Sequence, residues 1–175
     1  MDGRLDDRSP WYAQCEALYR EHAPRLLRLC RLLLRHSQEA EDVTHEVFLK
    51  LVESYRATDR AVAWGPWLTR VAVNACRDRQ RAAWWRLWHG ALEEVEIVDR
   101  DPTPEAATLT GETREHIWRA FRRLSQRQRE VFVLRHLEAW STQHVAEVLG
   151  LSPGSVKRHL FRAVACLRKG LEEHS

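Results

Sequence analysis

Residues 141–171 constrain the fold more than any other part of the sequence, because they have the pattern of a helix-turn-helix. Two helical patterns are separated by residues 150–152, where Gly150 can adopt the positive φ that ends a helix. Ser152 is placed to cap the second helix, and Pro153 occupies its first position, where the missing N–H costs nothing. The segment therefore predicts two helices joined by a short turn.

Both predicted helices of this segment have an apolar stripe. The first helix has a cap at Ser141 or Thr142, and its apolar residues are Val145, Ala146, Val148 and Leu149. The stripe of the second helix recurs at spacings of three and four and consists of Val156, Leu160, Ala163, Val164 and Leu167. The two stripes predict that both helices pack on one core.

The opposite face of the second helix is basic near the helix start and carries Lys157, Arg158, Phe161 and Arg162. Recognition helices read DNA bases in the major groove with this part of the helix. Arginine suits a bidentate contact with guanine, and phenylalanine suits the methyl group of thymine. A solvated basic face on an ordinary helical hairpin is the alternative. Because the caps, turn, stripes and basic face occur together, we favour DNA reading.

The bulk properties exclude little beyond membrane proteins. The 175 residues suffice for one domain or two small ones, and a net charge of +3 is too small to identify a partner. No apolar run approaches the roughly 20 residues that span a bilayer, and the N-terminal sequence MDGRLDDRSP lacks the apolar segment of a signal peptide. We therefore expect a cytoplasmic protein.

The four cysteines, Cys15, Cys30, Cys76 and Cys166, are far apart and form no C-x-x-C pair. Each falls within a helical pattern, where cysteine usually serves as a small buried apolar group. This spacing disfavours a disulfide framework or a zinc site and leaves a redox switch open.

The N-terminal half has three helical patterns. The first covers residues 11–35, and a fresh helix is expected at Pro24 because proline disrupts a helix interior. Ser37 is expected to cap the second, residues 38–55, whose outer face is mostly acidic. The third runs over about residues 67–86 and ends in a segment rich in tryptophan.

Composition changes sharply at residues 91–112, which hold seven acidic residues and one basic residue. With its prolines and glycine, this stretch indicates an extended acidic linker. Helices are predicted beyond it at residues 113–124 and 126–137. Since no strand pattern, repeat or glycine-rich phosphate loop appears, we predict an all-α chain with a helical bundle at 11–90 and a four-helix unit at 113–175.

In this order, the segments resemble an RNA polymerase sigma factor of the small two-domain extracytoplasmic-function (ECF) type. The resemblance is carried by EAEDVTHEVFLKLVES, then WGPWLTRVAVNACRDRQR, then the acidic linker, then LSQRQREVFVLRHLEAWSTQHVAEVLGLSPGSVKRHLFRA. It extends from about Cys15 to Lys169. It implies an alternative sigma factor that binds core RNA polymerase, directs it to promoters and assists promoter melting.

The resemblance also implies roles for individual residues. The acidic helix would bind the coiled coil of the polymerase clamp through Asp42, His45, Glu46, Lys50 and Glu53. The third helix would hold the −10 element as a single strand through Trp64, Arg70, Asn74, Arg77, Asp78 and Arg81. The −35 element would be read by Lys157, Arg158, Phe161 and Arg162, with backbone contacts from Arg129, Thr142 and Ser155. A flipped base would enter a pocket formed by the loop at residues 58–65.

An anti-sigma factor, often anchored in the membrane, is the further partner that the resemblance implies, and it would hold the chain at the membrane. Trp84, Trp85 and Trp88 are candidate contacts for this partner or for polymerase. The acidic linker would thread the active-site channel of the polymerase. No residue pattern suggests catalysis, since His45-Glu46 lacks the second histidine of a zinc-protease motif. We expect no cofactor, metal or small-molecule substrate.

Two other classes of protein fit parts of the pattern. A stand-alone helix-turn-helix regulator would bind duplex DNA by itself, with an N-terminal half that senses a ligand or dimerises. A scaffold that mimics these folds would bind proteins only, and would not need Arg158 or Arg162 for transcription.

Overall fold

The computed structural model describes residues 10–34, 36–58, 61–88 and 111–172. Every regular element in these ranges is an α-helix, in the order α1 (Pro10–Leu33), α2 (Ser37–Ala57), α3 (Trp64–Trp88), α4 (Gly111–Arg122), α5 (Gln126–His136), α6 (Thr142–Leu149) and α7 (Pro153–Glu172). The predicted all-α class is confirmed. Over the same ranges, no helix is both long and apolar enough to cross a membrane.

The chain divides into two compact units, Met1–Asp99 and Arg100–Ser175. The first contains α1 to α3 and the second contains α4 to α7. The linker predicted at residues 91–112 lies outside the described residues, apart from Gly111 and Glu112, which begin α4.

The first unit is a bundle in which each of the three helices packs against the other two. Apolar residues at spacings of three and four give each helix one buried stripe. The largest fully buried members are Leu26 and Leu33 on α1, Val43, Val47 and Leu51 on α2, and Leu68 and Val73 on α3. From α3, the Gln80 side-chain amide donates to the Leu33 carbonyl at 2.7 Å and so satisfies an acceptor at the end of α1.

Small polar groups occupy the centre of this bundle. Cys30 on α1 and Cys76 on α3 are buried, and their thiols are hydrogen-bonded. This hydrogen bond lowers the pKa of Cys30, burial opposes that effect, and a hydrogen bond with Thr44 adds to the lowering. The Thr44 hydroxyl also donates to the Ala40 carbonyl at 2.7 Å, which satisfies a buried donor within α2.

The helix break predicted at Pro24 is wrong, because α1 continues through this residue. Proline inside a helix removes one backbone hydrogen bond and costs about 3 kcal/mol. Pro24 lies on the exposed side of α1, while Cys15 and Leu26, on either side of it in sequence, are both buried. Packing on both sides of the proline therefore outweighs the lost hydrogen bond.

Two predicted helix starts also differ from the structure. Ser37 is the first residue of α2, and the cap position belongs to His36, whose side chain makes no capping hydrogen bond. Helix α3 begins at Trp64, three residues earlier than predicted, and places Pro66 in its first turn. Proline is tolerated there because the first-turn N–H groups have no partner within the helix.

In the second unit, α7 packs against each of the other three helices. Their shared core includes Leu124, Val131, Leu134, Val145, Leu149, Val156 and Ala163. Helix α5 starts with a capping box in which the Gln128 N–H donates to Ser125 Oγ at 3.3 Å and the Ser125 N–H donates to Gln128 Oε1 at 2.8 Å. Helices α4 and α5 form the support on which the helix-turn-helix packs.

Helices α4 and α7 approach closely at one point. A Cβ atom added to Gly170 would lie 2.6 Å from Ala120 Cβ, closer than carbon atoms can pack. Both residues are buried. The absence of a side chain at Gly170 therefore sets the distance between the C-terminal part of α7 and α4.

Candidate nucleic-acid and partner interfaces

The turn between α6 and α7 has the geometry that the sequence predicts. Gly150 has φ 64° and ψ 41°, in the left-handed region, and its N–H donates to the Ala146 carbonyl. The Leu151 N–H donates to the same carbonyl at 2.9 Å. At the start of α7, the Ser155 N–H donates to Ser152 Oγ at 3.1 Å, so the predicted cap is present.

Of the two candidate caps for α6, the structure selects Ser141. Its Oγ accepts the N–H of His144 at 3.1 Å, and Thr142 is the first residue of the helix. The imidazole of His144 stacks on Trp140 with ring centroids 4.0 Å apart and an angle of 2° between the planes. The cap and this stack together fix the start of α6.

Helix α7 presents its predicted reading surface to solvent. Val156 and Ala163 are buried, and the side chains of the opposite face are exposed: Lys157, Arg158, Phe161 and Arg162. Phe161 is 75% exposed, an unusual environment for a large apolar ring. The arrangement can place cations and one aromatic ring in a major groove.

The residues predicted to contact the DNA backbone fall into two groups. Thr142 and Ser155 are half-buried in the first turns of α6 and α7, and the Ser152 hydroxyl donates to Ser155 Oγ at 2.9 Å. Arg129 is only 6% exposed, donates to the Leu124 carbonyl at 3.3 Å, and places its guanidinium over the Phe121 ring. This burial is at odds with the predicted phosphate contact of Arg129, because its guanidinium is already engaged by Leu124 and Phe121.

Apart from Trp64, the residues predicted to hold the single strand share one face of α3, because they recur at spacings of three and four. Arg70, Asn74, Asp78 and Arg81 are exposed, and Arg77 is half-buried. Arg81 forms an ion pair with Asp78 one turn away. The face therefore combines cations and hydrogen-bonding groups along about three turns of helix.

Trp64 lies in an aromatic cluster rather than on this face. Its ring stacks on Tyr55 at 5.3 Å and meets the edge of Trp67 at 5.4 Å. All three rings are half-buried. Of the loop predicted to form a base pocket, residues 59 and 60 lie outside the described residues.

The outer face of α2 carries all five residues predicted to bind polymerase: Asp42, His45, Lys50 and Glu53 are exposed, and Glu46 is half-buried. Both carboxylate oxygens of Glu46 have cationic partners, Lys50 at 3.0 Å and Arg79 of α3 at 3.5 Å. Asp42 accepts a hydrogen bond from the Gln38 amide at 3.3 Å.

Sequence reasoning missed one residue of this face. Leu49 is 53% exposed and lies one turn from His45, Glu46 and Glu53. Its position is out of phase with the buried residues Val47 and Leu51, and this phase is the signal that could have identified it.

Trp85, one of the three tryptophans near the end of α3, is 57% exposed, while the side chains of Trp84 and Trp88 lie outside the described residues. Over the described part of the chain, no group of three or more histidine, cysteine or acidic side chains is arranged to hold a metal ion.

Two segments of the chain match conserved protein regions. Residues 18–86 match Sigma-70 region 2, and residues 114–167 match Sigma-70 region 4. The first match spans most of α1 to α3 and the second spans the helix-turn-helix with its supporting helices.

Curated relatives extend over nearly the whole chain. The ECF RNA polymerase sigma factor SigL of Mycobacterium tuberculosis is 34% identical over 166 residues, which cover 92% of this chain and 90% of SigL. The RNA polymerase sigma-E factor of Streptomyces avermitilis is 32% identical over 163 residues, covering 90% of this chain and 84% of the relative.

Solved structures show the same fold. The sigma factor RpoE of Bartonella quintana, in complex with the anti-sigma factor NepR, matches with a TM-score of 0.72 at 18% identity, covering 93% of this chain and 99% of RpoE. CnrH, in complex with the cytosolic domain of CnrY, matches with a TM-score of 0.59 at 23% identity, covering 93% of this chain and 90% of CnrH. With both sigma-70 regions in one chain and relatives above 30% identity along its length, the chain belongs to the ECF sigma factors of RNA polymerase.

Proposed function

We propose that this sigma factor divides promoter recognition between its two units. Sigma factors of this family bind core RNA polymerase and direct it to promoters. In our proposal, residues 11–90 bind polymerase and the −10 element, residues 113–175 read the −35 element, and residues 91–112 connect them. The observation that carries the assignment is the match of regions 2 and 4 to the two units.

The −35 element is read as duplex by the exposed start of α7. Arg158 and Arg162 suit guanine, and Phe161 suits a thymine methyl group. Their side chains are exposed beside the well-capped turn, which supports this role. Lys157, Thr142 and Ser155 complete the surface as contacts to the DNA backbone or base edges.

The −10 element is held as a single strand along the exposed face of α3. Arg70, Asn74, Arg77, Asp78 and Arg81 supply cations for phosphates and hydrogen-bonding groups for unstacked bases. The half-buried Trp64 supports this surface through its stack on Tyr55, so we assign it a positioning role at the edge of the site.

Core polymerase is bound by the outer face of α2. Asp42, His45, Glu46, Lys50 and Glu53 face solvent there, and the acidic residues suit a basic partner surface such as the clamp coiled coil. Charges of this kind favour rapid encounter and correct register more than raw affinity.

An anti-sigma factor is the proposed regulator. RpoE of Bartonella quintana was solved with the anti-sigma factor NepR, and CnrH was solved with the cytosolic domain of CnrY. These complexes motivate the proposal for this chain. The chain acts in the cytoplasm with its polymerase, and a membrane-anchored inhibitor would hold it at the membrane. Trp85 is a proposed contact because it is exposed.

Sigma factors initiate transcription without catalysing a reaction, and we propose the same for this chain, with the chemistry supplied by polymerase. The experiment is transcription from a genomic library with purified chain and core enzyme. We expect start sites that share one −35 and one −10 sequence. Specific duplex binding by the free chain, with no transcription, would favour the stand-alone regulator instead.

A further inference from the structure

We propose that Leu49 is the apolar anchor of the polymerase contact and that the charged residues around it form a rim. This inference rests on the proposed function, because it assumes that the outer face of α2 meets core polymerase. It adds a residue that the charge pattern alone does not identify.

Leu49 lies on the side of α2 that faces away from the bundle core. Buried residues of this helix include Val43, Val47 and Leu51, whereas Leu49 points away from the bundle and is 53% exposed. Residues three and four positions apart are neighbours on a helix surface, so His45, Glu46 and Glu53 surround it. Leu49 thus lies at the middle of the candidate surface.

Glu46, which lies beside Leu49 on this face, supplies less attraction to a partner than its charge implies. One oxygen of Glu46 lies 3.0 Å from Lys50 Nζ and the other lies 3.5 Å from the Arg79 guanidinium. A polymerase cation must compete with these two partners. Ion pairs at such exposed positions contribute little to affinity, since water and salt screen them.

Burial of Leu49 has no such competitor. Its exposed side chain loses water contact only when a partner covers it, and transfer of apolar surface from water is favourable. Interfaces that are specific commonly have an apolar centre within a polar rim. The partner surface is therefore a basic region of core polymerase that contains an apolar depression matching one leucine.

The test measures the Kd between the full-length chain and core polymerase, at low and high salt. Leu49→Ala and Leu49→Gln should each weaken binding about tenfold at both salt concentrations, because the lost contact is apolar. Asp42→Asn and Glu53→Gln should slow association at low salt, with an effect that shrinks at high salt. Thermal unfolding of all four variants should match that of the parent.

Leu137→Ala is the matched control, because Leu137 is 55% exposed and lies in the other unit. Its Kd should stay within about twofold of the parent value. If the acidic variants weaken binding and the Leu49 variants do not, the anchor is overturned and the polymerase surface stands. If none of these variants alters the Kd, both the Leu49 anchor and the proposed polymerase surface are overturned. An equal loss from Leu137→Ala also overturns the anchor.

Discussion

The Arg79 guanidinium of α3 lies 3.5 Å from a carboxylate oxygen of Glu46 on α2 and joins the proposed polymerase face to the helix of the proposed −10 face. The two side chains are 37% and 42% exposed. Exposed pairs of this kind contribute about 0.2–1 kcal/mol to stability. We therefore expect a coupling energy of no more than about 1 kcal/mol from a double-mutant cycle of Glu46→Gln and Arg79→Gln, measured by urea unfolding. A coupling above about 2 kcal/mol would contradict the exposed geometry.

The contact between Gly170 and Ala120 predicts a strict size limit at one point of the second unit. Gly170→Ala places a Cβ 2.6 Å from Ala120 Cβ, so α4 and α7 must separate. Overpacking typically costs 1–3 kcal/mol, and the helix propensity of alanine returns about 1 kcal/mol. We expect a net loss of about 1 kcal/mol in the free energy of unfolding.

Gly154→Ala in the same helix is the control, because its Cβ would meet only Ser152 Oγ at 3.9 Å, an ordinary contact. It should be neutral or stabilising in the same unfolding measurement. When it is measured against the Ala120→Gly single variant, which carries its own helix-propensity cost, the further change Gly170→Ala should cost less than it does in the parent chain, because the clashing Cβ of Ala120 is gone. A Gly170→Ala variant with the same free energy of unfolding as the parent would refute the close approach.

The left-handed conformation of Gly150 predicts a backbone penalty without a steric one. A Cβ at this position has no neighbour within 4 Å, yet the φ of 64° disfavours side chains. Gly150→Ala should lower stability by about 1–2 kcal/mol. Gly150→Asn should cost less, because asparagine visits this region more readily. Equal losses for the two variants would argue against a left-handed residue in the turn.

The exposure of Phe161 predicts that promoter selectivity and stability can be separated. Phe161→Ala should leave the free energy of unfolding within about 0.5 kcal/mol, because a 75% exposed ring contributes little packing. It should reduce discrimination at one −35 position, and thymine-to-uracil replacement there should mimic the loss.

Arg158→Ala and Arg162→Ala should each cost about 1–3 kcal/mol of discrimination. The measurement is transcription by holoenzyme from matched and altered promoters.

The reactivity of a cysteine depends both on the pKa of its thiol and on its access to solvent. A lowered pKa favours the reactive thiolate of Cys30, but this residue is 0% exposed. Because access is required as well, Cys30 should resist iodoacetamide in the native chain and react only after unfolding. Cys15, whose pKa is raised by burial, should also react slowly, and the half-buried Cys166 should react first. Rapid native labelling of Cys30 would show that the bundle opens readily.

The sequence predicted best those features that neighbouring residues determine. The cap at Ser152, the left-handed turn at Gly150 and the start of α7 at Pro153 depend on local chemistry that can be read directly. The same locality explains the error at Pro24, since its helix is maintained by packing against α2 and α3, which a local rule does not include.

Side chains whose role depends on packing were predicted less well. Arg129 occupies a basic position near a helix start, but its burial against the Phe121 ring appears only once α4 and α5 are assembled. Leu49 was overlooked because the outer face of α2 was described by its charged residues alone. Comparison of its phase with that of Val47 and Leu51 would have placed it outside.

Promoter selection by α7 is tested by run-off transcription with core polymerase and the purified chain, compared with the same reaction using the Arg158→Ala, Arg162→Ala double variant. We expect transcripts from promoters that share one −35 sequence, and these transcripts should require both core enzyme and the chain. They should fall sharply with the double variant, although that variant should bind core polymerase as tightly as the parent. Transcripts that persist unaltered with the double variant, or a chain that does not associate with core polymerase, would contradict the proposed function.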